Sequence, residues 1–340
     1  MRRFHAVDKP YMTDSVQLLG ISNAIVDVLA HVDREFLGSI RAEPGSMTLI
    51  DKDRAHEIYN QMGPATEMSG GSVANTVAGF ANLGGSTAYI GKVRDDQLGR
   101  IFNHDMKSLG VDIRLPKAAD GAPTARSHVL ITEDGQRTMQ TYLGACLELG
   151  LVDITADTLG APKAILLEGY VWDIAEGPAL ARKAVDIAHR NGTTVALSLS
   201  DSFCVERHRD SFEEFVRDGV DIVVADEDEV NALVQTSSFD DTLVALNDFD
   251  NLFAITRSAK GSVIVHGDEK VVQAAAGLSG DEIIDTTGAG DAYCAGFLYG
   301  WANDLSLSQC AQYGTRCATQ VIQQLGGRIE PGLLDDFEAR

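Results

Sequence analysis

From about residue 150 onward the chain alternates short, wholly apolar runs with longer amphipathic ones, and this rhythm restricts the fold more than any other feature. KAILLE (163–168), TVALSL (194–199), VDIVVA (220–225) and LFAIT (252–256) are too short for helices and apolar along most of their length. Such runs read as strands covered on both faces, the condition of a parallel sheet. Helices are predicted between them, near 175–191, 208–218, 227–234 and 239–248. Parallel neighbours need crossover connections, and helical crossovers cover both faces of the sheet. The pattern therefore predicts a three-layer α/β/α fold with a mostly parallel central sheet. VQLLGI (16–21) and Thr87–Ile90 are further short strands, and 262–266 with 270–274 reads as a late hairpin. Two C-terminal helices are expected near 289–302 and 307–324.

Two stretches fall outside the rhythm. VDVLAHV (26–32) alternates, as a strand with one open face does, and 33–50 carries Gly38, Pro44 and Gly45 and reads as strand or loop rather than helix. Ser127–Thr132 and Gln136–Leu143 flank Glu133-Asp134-Gly135 and read as a β-hairpin. The expectation is a single domain, 15–335, carrying a small β-sheet lid built from insertions at about 26–50 and 111–143. Residues 1–14 are polar and expected to be frayed.

Composition narrows the partners. Of 340 residues, 28 are Lys or Arg and 50 are Asp or Glu, a formal charge of −22. Nucleic acid and anionic membranes demand a basic face, so neither is expected as a partner. A phosphate held by backbone N–H groups stays open. No run approaches the roughly 18 apolar residues of a membrane span, and no apolar segment follows the two N-terminal arginines. Five dispersed cysteines, without zinc spacing, read as reduced thiols. A cytoplasmic protein is expected.

The chemistry is concentrated in Asp285-Thr286-Thr287-Gly288-Ala289-Gly290-Asp291, followed by the apolar helical run AYCAGFLYGW. A bare Gly-x-Gly-Asp is no more than a tight turn with an acidic cap. The full heptad between a strand and an apolar helix places three small residues at a helix N-terminus, where unpaired N–H groups and the dipole favour an anion. Asp291 is a carboxylate beside that pocket, suited to take the proton of an attacking hydroxyl. A P-loop is excluded, because Gly91-Lys92 is followed by Val93. A dinucleotide fingerprint is disfavoured, because Tyr293 stands where its third glycine belongs.

GGSVANTVAGFANLGG (70–85) is the second motif. Ser72 is predicted to cap a helix whose apolar positions are Val73, Val77, Phe80 and Leu83, with Gly84 and Gly85 ending it. Gly70 and Gly71 let the backbone approach a sugar ring, and Asn75 both donates and accepts, as a polyol requires. Alone, the motif is equally well the start of a core helix with a structural amide. In GISNAIVDVLAHV, Asn23 and Asp27 follow the first strand; a carboxylate there can accept both hydroxyls of a vicinal diol, or be a solvated strand-end charge.

Together, DTTGAGDAYCAGF and GGSVANTVAGFANLGG resemble the two signatures of the ribokinase-like (PfkB) family of carbohydrate and nucleoside kinases, in the family's order, over about residues 16–330. The resemblance implies ATP-dependent, Mg²⁺-assisted phosphorylation of a primary hydroxyl. Asp291 is then the base, and the N–H groups of Gly288, Ala289 and Gly290 form the anion hole. GISNAIVD is similar to the opening of adenosine kinases, where the Asp binds ribose, which implies a ribonucleoside acceptor, adenosine first. A sugar such as ribose or fructose, or inosine or guanosine, is the alternative. Arg137, in the hairpin, would close over phosphate or substrate, or be a solvated hairpin charge. Asp226-Glu227-Asp228-Glu229 replaces the family's Asn-x-x-Glu; Glu229 matches, near Mg²⁺ and expected to hold it through water, and the role of Asp226 stays open. Thr256, Arg257 and Gly261, in TRSAKG, resemble the nucleotide-contacting turn, with Gly288 and Gly290 on the phosphate side. Asp285 and QLGGR (324–328) match the region where many relatives hold a monovalent cation such as K⁺. The expected partner is a small molecule, in a monomer or a homodimer paired through the lid.

Overall fold

The computed structural model describes residues 16–334. The expected frayed segment 1–14, and residues 15 and 335 of the expected domain, lie outside the described residues. Fourteen strands are present among the described residues: β1 (Leu18–Ile21), β2 (Ile25–His31), β3 (Met47–Leu49), β4 (Thr66–Gly70), β5 (Thr87–Ile90), β6 (Asp112–Ile113), β7 (Ala125–Ile131), β8 (Arg137–Tyr142), β9 (Ala164–Glu168), β10 (Thr194–Ser198), β11 (Ile222–Asp226), β12 (Leu252–Thr256), β13 (Ser262–His266) and β14 (Glu269–Gln273).

Nine of these form one sheet in the order β14-β13-β12-β11-β10-β9-β1-β5-β6. The seven from β12 to β6 are parallel, and β13 and β14 add an antiparallel hairpin at one edge. Side chains alternate across each strand. Leu19, Leu167, Leu197 and Val223 pack with Leu180, Ala184 and Phe212, from the Gly177–Arg190 and Ser202–Gly219 helices. Leu18, Leu166, Ala196 and Val224 pack on the other face with Val77 and Phe80 of the Ser72–Asn82 helix and Phe297 of the Ala289–Ala302 helix. Two covered faces explain why these strands read as continuous apolar runs rather than alternating ones. Parallel strands also bring their C-terminal ends to one edge, and there Glu168, Asp226 and Thr256 end β9, β11 and β12.

The second sheet, β3-β8-β7-β2-β4, is the lid. Its composition corrects the expected insertions in three ways. Residues 33–50 contain a helix, Arg34–Ser39, capped by the Asp33 carboxylate on the Phe36 N–H at 2.7 Å. Leu37 and Ile40 bury themselves against Ile58 and Leu130, a tertiary gain that outweighs Gly38 in the helix. TEMSG (66–70) joins the lid as edge strand β4; its polar, half-exposed residues conceal a strand from periodicity alone. Asp112–Ile113 pairs with β5, in the large sheet, so 111–124 is not lid.

Helix boundaries follow their caps. Asp96 accepts from the Gly99 N–H at 2.8 Å and starts the Gln97–Ser108 helix. The helix expected from 208 begins at Ser202, capped by Asp201, and its backbone leaves helical geometry at His208, the expected start. Ser72 does not cap its helix: Gly71, at φ 95°, is the cap residue, and Ser72 is the first residue of the helix. The last helix ends at Ile322, not 324.

Candidate active site

Asp291 lies in the first turn of the Ala289–Ala302 helix, and the glycine motif holds it. Its Oδ1 accepts from Ser72 Oγ at 2.7 Å and its Oδ2 from Asn75 Nδ2 at 3.1 Å. Thr76 Oγ1 donates to the Asp291 carbonyl at 3.2 Å. Two motifs more than 200 residues apart in sequence thus build one carboxylate site, and Asn75 is an orienting group for Asp291. Enclosure by protein raises the Asp291 pKa; the Ser72 and Asn75 hydrogen bonds and the Arg328 charge oppose that rise.

Gly288 caps the helix in the left-handed region, φ 72°, and a Cβ there would lie 2.7 Å from Gly327 Cα. The QLGGR loop therefore packs directly on the Gly288 turn, a contact open only to glycine. A Cβ on Gly290 would meet nothing within 4 Å, so this helix start faces open space. The donor set differs from the expected one at one position. The Ala289 N–H donates to the Thr286 carbonyl at 3.2 Å, whereas Gly290 and Asp291 lie in the first helical turn, whose N–H groups have no intrahelical acceptor.

Asp27 reaches the same space from β2. A Cβ on Gly70 would sit 2.2 Å from Asp27 Oδ2, so the glycine leaves room for that carboxyl. Burial lifts the Asp27 pKa to about 6, against the pull of Arg328 and Arg137; the Asp291 charge adds to the rise. Gly71 is needed twice over: its φ is 95°, and a Cβ would come within 2.8 Å of the Asn23 carbonyl. Asn23 is buried, and its side-chain Oδ1 lacks a partner.

Glu168, the last residue of β9, belongs to neither motif and was not expected here. Its Oε1 accepts from the Asn23 N–H at 3.0 Å and its Oε2 from the Val73 N–H at 3.3 Å. Burial raises its pKa to about 7 against those bonds. A carboxylate ending the apolar run KAILLE was the available signal. Nearby, burial and the Asp201 carboxylate push the Tyr170 phenol far above its ordinary range.

Arg137 projects from β8 onto the large domain and pairs through Nη2 with Asp285 Oδ2. Asp285 also accepts from the Thr287 N–H and the Gly326 N–H, each at 3.0 Å. Its positive partner is thus a side chain, and these residues do not fit a monovalent-cation site in this arrangement. Glu229 is buried in a reciprocal cap: its Oε2 accepts from the Asp226 N–H at 3.0 Å, and Asp226 Oδ1 accepts from the Glu229 N–H at 2.8 Å. Burial first, then the neighbouring Asp226 charge, lift Glu229 to about 8. No group of three metal-ligating side chains occurs among the described residues. Glu229 would be the carboxyl to hold the water shell of a Mg²⁺ ion bound with the nucleotide.

The turn after β12 is engaged internally. Arg257 pairs with Glu227 through Nε at 2.8 Å and Nη2 at 3.2 Å, and stacks 3.6 Å from the centre of the Phe239 ring. Thr256 Oγ1 donates to the Ala225 carbonyl at 3.5 Å. Gly261, φ 87°, turns the chain into β13, where a Cβ would strike the Gln273 carbonyl at 2.0 Å. The structure keeps these three at the C-terminal sheet edge but does not bring them onto Asp291.

Among the described residues no helix is long and apolar enough to cross a membrane. The pfkB family carbohydrate kinase model matches residues 46–331. An adenosine kinase from Sinorhizobium meliloti is 46% identical, with a TM-score of 0.88 over 96% of this chain and 99% of that one. A probable sugar kinase from Rhizobium etli CFN 42 is 43% identical, with a TM-score of 0.87 over 95% and 98%. A curated relative, 5-dehydro-2-deoxygluconokinase of Geobacillus kaustophilus, is 28% identical over 79% of this chain and 84% of its own length. With its two signature motifs converging on Asp291, the chain is a phosphotransferase acting on a hydroxyl group, and it belongs to the PfkB family of carbohydrate kinases.

Proposed function

We propose that this enzyme transfers the γ-phosphoryl group of ATP to the 5′-hydroxyl of a ribonucleoside, adenosine to AMP. The observation that carries the nucleoside reading is the inner face of the lid. Register places Asp27, Ser127, Thr141 and Leu49 in one row across β2, β7, β8 and β3, and Leu29, Val129, Met139 and Met47 in the next. Arg137, on the same face, touches Asp285 of the large domain, so this face looks onto the cleft. Met47 and Leu49 are 46% and 54% exposed. A diol-binding carboxylate beside a broad apolar surface suits a ribose bearing a flat base better than a free sugar. The adenosine kinase at 46% identity supports the same acceptor.

In this reading Asp27, with the Asn23 amide, takes the ribose hydroxyls, and the lid excludes water. Asp291 accepts the 5′-hydroxyl proton as the phosphoryl group moves in line. The Ala289–Ala302 helix start stabilises the developing charge. Mg²⁺ bound with ATP would neutralise phosphate charge that an acidic protein cannot. ATP and the five free thiols suit a cytoplasmic enzyme. ADP release with adenosine, inosine, guanosine, ribose, fructose and 5-dehydro-2-deoxygluconate tests the proposal. Adenosine is expected to give the highest kcat/KM; turnover with only the non-nucleoside acceptors would reject it.

A further inference from the structure

The QLGGR loop contributes a largely enclosed cation that no step above uses. Arg328 Nη2 donates to both the carbonyl and the Oγ of Ser69, the latter at 2.6 Å, and Nη1 donates to the Ala74 carbonyl at 3.4 Å. Ser69 lies near the end of lid strand β4, and Ala74 in the first turn of the Ser72–Asn82 helix, whose side chains bind Asp291. One guanidinium therefore bridges both sides of the Gly70-Gly71 hinge. Its nearest carboxylate among the described residues, Asp105, stands at 3.9 Å. That carboxylate is already committed to Ser69, accepting from its N–H at 2.9 Å and from its hydroxyl. The guanidinium's hydrogen bonds go to neutral oxygens, and its charge acts on Asp105 first and then on its other acidic neighbours. Those neighbours are Asp27 and Asp291.

We propose that Arg328 is a positioning residue for phosphoryl transfer, fixing the hinge between the lid and the Ser72–Asn82 helix and serving as the shared counter-charge of the acceptor carboxylate Asp27 and the base Asp291. The geometry makes one side chain do both tasks, since the turn it clamps carries Gly70, against which Asp27 rests, and Ser72, which holds Asp291. The other ionisable groups around the pair are Arg137 beside Asp27, and Glu168, Glu229 and Cys294 around Asp291. Arg328 and Arg137 are the cations, and Arg137 is paired with Asp285. Removing Arg328 thus leaves Asp27 and Asp291 easier to protonate.

The test uses the full chain with ATP, Mg²⁺ and the acceptor it turns over fastest. Arg328→Met is expected to lower kcat roughly 10²-fold, the scale of a misplaced reacting group, with little change in the KM for ATP. It should also move the acid limb of kcat/KM to higher pH. Arg328→Lys is expected to return that limb towards the wild-type position while recovering only part of kcat, because an ammonium keeps the charge and loses the fork of donors. A role in folding alone would leave the acid limb unmoved, and an unmoved limb in a folded Arg328→Met enzyme overturns the proposal, as does wild-type kcat. If Arg328→Met does not fold, Ser69→Ala decides: losing one anchor of the guanidinium should move the limb the same way by a smaller amount, and no movement counts against the proposal. The role of Arg328 rests on the family's phosphoryl transfer and not on adenosine. Failure of adenosine as acceptor changes only the substrate of the assay, and the shift of the acid limb still decides.

Discussion

The Asp291 carboxylate is oriented by two neighbours rather than by its own position in a helix. Ser72 and Asn75 fix both oxygens, and enclosure raises the pKa, which makes the carboxylate a better proton acceptor once charged. Asp291→Asn keeps the shape and loses the proposed base. It is expected to cost about 10²–10⁴-fold in kcat, with ATP binding and the melting temperature near wild type; turnover assays and calorimetry check this. Glu229 yields a pH prediction. Its pKa stands at about 8, raised from 4.5 by burial and by Asp226. A carboxyl raised on folding stabilises when protonated, so its contribution is full below pH 4.5 and is lost as pH rises through about 8. Glu229→Gln keeps an oxygen for the Asp226 cap. It should flatten the fall in melting temperature as pH rises through that window, a difference on the order of a few kcal/mol at the alkaline end. Parallel melting curves for the two proteins would refute this.

Among the elements, the hinge from β4 into the Ser72–Asn82 helix carries the site. Gly70 and Gly71 are adjacent, yet they are glycines for different reasons, and substitution separates them. Gly70 makes room for the Asp27 carboxyl. Gly70→Ala is therefore expected to raise the acceptor KM at least about tenfold, with the KM for ATP and the stability little changed. Gly71 needs its left-handed backbone and clearance from the Asn23 carbonyl. Gly71→Ala is expected to destabilise the fold by about 1–3 kcal/mol, read by denaturant unfolding. The elements themselves were largely legible in the sequence. Apolar runs such as KAILLE and TVALSL locate their strands, because such patterns are local. TEMSG and the Arg34–Ser39 helix were not legible: an edge strand shows little alternation, and that helix is secured by Leu130 on another strand.

Globally, the lid and the large domain meet through Arg137 and Asp285, both buried side chains. The pair joins the β8 hairpin to the turn that leads into the Ala289–Ala302 helix, so lid position and helix start are expected to be coupled. Arg137→Ala is expected to increase hydrogen exchange in 125–142 and to lower kcat; unchanged exchange would mean that the pair does not hold the lid. Asp285 already has a cationic partner, so KCl and a matched inert salt should affect the rate equally, through screening alone. A specific activation by K⁺ would show that the cation displaces Arg137.

Contiguous residues were enough to specify the α/β layering, the lid hairpin and the helix start fit for an anion, and to single out Asp291 and Asp27 as the carboxylates proposed to react and to recognise. Each of these is written in a local stretch of chain. What surrounds them was settled by packing in three dimensions. Asn75 turns onto Asp291, Glu168 ties the Asn23 loop to the glycine-motif helix, Arg137 takes the place expected for a cation, and Arg328 settles at the hinge. Each of those partnerships joins residues more than 90 positions apart. Sequence spacing records the geometry of a turn or a helix face, but charge and burial act through space, and the fold alone sets which distant groups share it.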